Sequence, residues 1–122
     1  MPASFSSTSF VPDNLIAGNH DELVGEKITL LSGQNLVRGT VIGKITASAK
    51  YKTSLAAVTI GSETPDLILA EDCDASAGDK QALAYSRGDF IAQALTIGTG
   101  HTIASIKEGL RVKNIILINT QA

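Results

Sequence analysis

From Lys27 onward the apolar residues arrive in short runs, each closed within a few positions by Gly, Pro, Asn, Asp or Ser. This punctuation constrains the fold more than any motif does. Four to eight residues rich in β-branched side chains suit a strand, whereas a helix needs an apolar stripe sustained at a 3.6-residue period. Residues 27–30 alternate and read as a strand, and 32–35 as a turn. Residues 40–46 are β-branched and predict a strand, with Gly43 marking a bulge or a close approach. Residues 47–53 are small and polar and predict an exposed loop. Residues 55–60 predict a strand ended by Gly61, and Glu63, Thr64 and Pro65 a break. Leu67, Ile68 and Leu69 make 66–70 a buried strand, 71–79 an acidic loop, and 82–85 a strand running into a turn at 86–89. Residues 115–118 predict a last apolar strand.

Two segments predict helix. Residues 90–95 place Phe90, Ile91, Ala94 and Leu95 on one face; 102–110 place Ile103, Ile106 and Leu110 on one stripe, with Thr102 as N-cap and Gly109 weakening the end. The expected fold is mainly β: a compact single domain of short strands with one or two short helices and an extended N-terminal arm. A chain of 122 residues fits one domain and can bury about two-thirds of its unfolded surface. Aromatic residues are 4% and Trp is absent, so Ile, Leu, Val and Ala must fill the core.

The first nineteen residues, MPASFSSTSFVPDNLIAGN, differ from the rest. They are Ser-rich, and Pro12 restricts Val11 to extended backbone. Phe5 and Phe10 are isolated large apolar groups. Composition leaves two readings open: a disordered terminus, or a segment that becomes ordered on a partner. The boundaries expected are 1–19 for a flexible arm and 20–122 for the compact domain.

The net charge is −2, and the basic residues are scattered singly. Without a basic stripe or interleaved aromatics, nucleic acid is not an expected partner. No run approaches the ~20 apolar residues needed to span a bilayer, so no membrane partner is expected. The first basic residue is Lys27, so the basic region of a signal peptide is lacking and synthesis in a cytoplasm is expected. Cys73 is the single cysteine, which excludes a disulfide within one chain.

Chemical motifs fall short one by one. Gly39 to Ile45 has three residues between its glycines and Ile45 after Lys44, where a phosphate loop needs four and a hydroxyl. Gly98, Gly100 and His101 lack the third glycine of a dinucleotide loop. Glu71, Asp72, Asp74 and Asp79 resemble a calcium loop only until Ala77 and Leu83 occupy its Gly and Glu positions. Carboxylates around Cys73 should raise its pKa. His20 and His101 are the only histidines, and no Gly-x-Ser-x-Gly elbow exposes a serine. No catalytic residue, metal site or cofactor is expected. The rival reading is a small hydrolase using His101 and an acidic partner.

In order and spacing, several segments are similar to one family. These are the arm SFSSTSFVPDNLIAGNHD, the block ITLLSGQNLVRGTVIGKIT and the long SETPDLILAEDCDASAGDKQALAYSRGDFIAQALTIGTGHTIASIKEGLRVKNIILI. The chain resembles the head decoration proteins of lambdoid bacteriophages, which bind the outside of an expanded capsid. The resemblance implies a homotrimer at local threefold positions, with the major capsid protein as partner and the outer surface of the virion as location. It also implies an arm that orders on the shell. The arm residues expected to bind are Ser4, Phe5, Ser6, Ser7, Thr8, Ser9, Phe10, Val11 and Pro12, pairing with a sheet edge while Phe5 and Phe10 enter apolar depressions. Another trimeric virion or tail accessory protein is the alternative within the same class.

Overall fold

The computed structural model describes residues 15–17 and 23–118. Within them run β1 (Val24–Leu30), β2 (Asn35–Leu36), β3 (Val41–Lys44), β4 (Tyr51–Thr53), β5 (Pro65–Leu69), β6 (Cys73–Asp74), β7 (Lys80–Ile91), a 3₁₀ turn (Ala92–Ala94), α1 (Ile103–Val112) and β8 (Ile115–Ile118). The large sheet has the order β1-β4-β3-β5-β7-β8, and β1 pairs again with β7. Five strands therefore close a small barrel, and β8 is added along the far half of β7. The protein is mainly β. β2 and β6 form a separate two-stranded ribbon.

Alternation along the strands builds two cores from one set of residues. Ile42, Leu67 and Leu69 join Ile28, Leu30, Tyr51, Ala82 and Ala84 in one core cluster. Val41 and Ile68, the neighbours of opposite parity, join Leu15, Phe90, Ile106, Leu110, Ile115 and Leu117 in the other. Both faces of β3 and β5 are thus covered, which is why Leu67, Ile68 and Leu69 form an unbroken apolar run.

Strand β7 links the two cores. Its first part pairs with β1 from Leu30↔Lys80 to Val24↔Arg87, and its last part pairs in parallel with β8 from Gly88↔Ile115 to Ile91↔Ile118. The turn expected at 86–89 is therefore absent. Consecutive partners hold the backbone extended, and Gly88, with φ +148°, absorbs the irregularity inside the strand. The helix expected at 90–95 is likewise replaced by the end of β7 and one 3₁₀ turn, because Phe90 is drawn into the second core from a strand.

The region 47–60 also departs from expectation. Tyr51–Thr53 is strand β4, where a loop was expected, and the Tyr51 ring enters the barrel core. Residues 55–60, expected as a strand, make only single tethers: Ala56 N–H donates to the Thr99 carbonyl, and the Ile60 carbonyl accepts from Thr46 N–H. The acidic loop at 71–79 contains β6, paired antiparallel with β2. Helix α1 forms as its pattern predicts: Thr102 Oγ1 accepts from Ser105 N–H at 3.1 Å, Ser105 Oγ accepts from Thr102 N–H at 2.8 Å, and Ile106 and Leu110 are buried.

Candidate functional site

Residues 4–12, the expected binding arm, lie outside the described residues. What the structure gives is the root of that segment. Leu15 is 1% exposed and sits in the second core. Its carbonyl accepts from Ile91 N–H at 2.7 Å, and Ala17 N–H donates to the Asp89 carbonyl at 3.0 Å. Ile16 bridges Phe90 in antiparallel sense. Residues 15–17 thus lie against the last turns of β7, where Phe90 is 0% exposed and packs 5.4 Å from the Tyr85 ring centre. These three residues belong to the stretch assigned to the arm, yet their contacts are those of a core strand. In the sequence, the apolar triplet Leu15, Ile16 and Ala17 is set off from the serines at 4, 6, 7 and 9 by Val11, Pro12, Asp13 and Asn14.

The acidic loop uses its carboxylates one at a time on the chain itself. Glu71 Oε2 accepts from Leu83 N–H, Asp72 Oδ1 from Arg38 N–H, Asp74 Oδ1 from Ser76 N–H, and Asp79 Oδ1 from Ser32 N–H. These bonds fasten the β2–β6 ribbon and its flanking turns. Among the described residues, no three His, Cys, Asp or Glu side chains are grouped to hold a metal ion. Asp74 and Asp79 are held below the usual carboxylate range, chiefly by hydrogen bonds from Ser76 and from Lys50 respectively. Burial pushes the Cys73 thiol up, against a smaller opposing pull from Lys80.

Among the described residues, His101 has no carboxylate partner. Its Nε2 lies 2.9 Å from the Glu63 carbonyl and 3.2 Å from Ser54 Oγ. A carbonyl oxygen only accepts, so Nε2 carries the proton and donates it there. The same nitrogen therefore has no lone pair with which to take a proton from Ser54. Ser54 is 0% exposed, and its hydroxyl donates to the Glu63 carbonyl as well. The pair ties the loop after residue 60 to the turn before α1, and it does not present a nucleophile.

Gly43 and Gly98 explain the two glycine-rich stretches. A Cβ on Gly43 would lie 2.1 Å from the Ser62 carbonyl oxygen, and one on Gly98 would lie 2.0 Å from that of Ser54. Both glycines mark close backbone contacts, and Gly43 sits at a register shift between β3 and β5.

The fold is thus a small, closed β barrel in which the acidic loop and the His101–Ser54 pair are bonded to the chain itself. The model of the bacteriophage lambda head decoration protein D family matches residues 5–113, and the chain belongs to that family. The family is a structural one, associated with the phage capsid. No curated protein matches the chain.

Proposed function

We propose that the chain assembles as a homotrimer on the outside of an expanded phage capsid, at local threefold positions, and stabilises the shell against internal DNA pressure. The match to the head decoration family over residues 5–113, which includes most of the N-terminal segment, carries this reading. In it, residues 4–12 extend along the major capsid protein and pair with a sheet edge, with Phe5 and Phe10 as apolar anchors.

The energetics favour three arms over one. Ordering backbone costs about 1–2 kcal/mol per residue. Each hydrogen bond gained returns only about 0.5–1.5 kcal/mol. Burying a Phe side chain adds about 1.5–3 kcal/mol. One arm is thus a weak ligand, whereas linked arms gain on the order of 10²–10⁴ in avidity. Selectivity follows from spacing, because a shell engages all three arms only where its sites match the trimer. The anchored Leu15 supports this reading by giving the segment before it a fixed origin on the folded domain.

The test is deletion of residues 1–14, with binding to expanded heads measured by co-sedimentation and particle imaging. Loss of binding with a folded domain is expected. Unchanged affinity overturns the arm mechanism. Sedimentation of the free protein as a monomer at micromolar concentration would count against the trimer.

A further inference from the structure

A cavity of about 310 Å³ opens beside the end of β3 and is lined by Lys44, Thr46, Gly61, Thr64, Asp66 and Lys113. Three stretches distant in the chain converge on it: the end of β3 with the turn after it, the loop leading into β5 with Asp66 of that strand, and the C-cap of α1. We infer that this cavity is a binding site for an oxyanion, a phosphate or carboxylate group.

The lining decides the chemistry. Its carboxylate is already satisfied: Asp66 Oδ1 pairs with Lys113 Nζ at 3.0 Å, and Asp66 Oδ2 accepts from the Tyr51 hydroxyl at 3.0 Å. Burial, reinforced by Asp66, pushes the Tyr51 phenol well above its ordinary pKa, so it remains a donor to that carboxylate. The neighbouring Glu63 carboxylate is turned onto Gly61 N–H at 2.8 Å. Among the described residues, the Lys44 ammonium forms no ion pair, and the Thr46 and Thr64 hydroxyls form no hydrogen bond. With Lys113 committed to Asp66, the lining presents the ammonium of Lys44 without an ion pair among the described residues, together with two solvent-facing threonine hydroxyls. A cation would meet the Lys44 ammonium, and an apolar group would leave that charge without a counter-ion. An oxyanion satisfies both charge and donors.

Gly61 keeps the cavity in this shape. A Cβ there would lie 2.2 Å from Thr46 Oγ1, so only glycine lets the loop close against the turn at this point. The site is open to solvent, and exposed ion pairs are weak, so affinity for a free ion should be on the order of millimolar.

The experiment is a heteronuclear NMR titration of the full chain with sodium phosphate and, separately, sodium acetate, each against sodium chloride at matched ionic strength. Saturating shifts at the Gly61 and Thr64 amides with phosphate or acetate are expected. Lys44→Met should weaken binding about fivefold, as loss of one exposed charge contact implies. Thr64→Val should weaken it too, while Lys107→Met on α1 leaves it unchanged. Tighter binding of acetate marks the site for a carboxylate, such as an acidic side chain of a neighbouring protein; tighter binding of phosphate marks it for a free ion. Shifts that never saturate, that chloride reproduces, or that saturate with unchanged affinity in Lys44→Met overturn the proposal.

Discussion

Gly43 shows how one missing side chain positions a large part of this molecule. Its Cα faces the Ser62 carbonyl so closely that an added methyl meets backbone, not a side chain that can swing away. Gly43→Ala should therefore destabilise the fold by about 1–3 kcal/mol, as overpacking does, read as a lower urea midpoint at unchanged slope. The carboxylates of the acidic loop give a second test at this scale. Asp74 and Asp79 titrate below their unfolded value, so their contribution is present above about pH 4, the unfolded carboxylate range, and fades as pH falls through the folded values. Urea unfolding followed from pH 6 to pH 2.5 should show stability dropping across that window. Asp79→Asn should flatten the drop, whereas an exchange of the buried Cys73 for Ser should not.

Among the elements, α1 is the clearest case of structure written locally. Thr102 and the stripe of Ile103, Ile106 and Leu110 lie within nine positions; Thr102 caps the helix as expected, and Ser105 completes a capping box that the sequence reading did not include. Thr102→Ala should cost about 1 kcal/mol in denaturant unfolding, since it frees the Ser105 amide. Strands β3, β5 and β8 were legible for the same reason, being short apolar or β-branched runs with clear ends. What could not be read was set by distant partners. Residues 55–60 have strand composition but, among the described residues, no strand pairs with them, while Tyr51 becomes a strand residue because Asp66 and the barrel interior receive it. Arg87, Gly88 and Asp89 look like a turn in isolation, and extended pairing to β1 and β8 overrides that preference. The cavity around Lys44 was invisible for a plainer reason: Lys44, Asp66 and Lys113 are far apart in the chain, and only the fold brings them together.

For the whole molecule, the proposed division between a binding segment and the folded domain can be tested as a measurable boundary. Removing residues 1–14 leaves Leu15 in its core position, so thermal stability should stay close to that of the full chain. Removing residues 1–17 also takes away the Leu15 side chain and its backbone bonds to β7, and should cost about 2–5 kcal/mol, the range for emptying a buried leucine site. Calorimetry on both truncations separates the roles: capsid binding should be lost in each, stability only in the longer one. A longer truncation as stable as the full chain would show that the root contributes nothing to the fold.

Leu15 also determines how the molecule bears a mechanical load. A pull on the chain along the axis of β7 at this point meets the bonds of Leu15 to Ile91 and of Ala17 to Asp89 side by side, and the strain is divided between them in shear. The same strand is stitched to β8 at this end and to β1 at the other. Tension entering at Leu15 is therefore passed to β7, the strand that pairs with both β1 and β8.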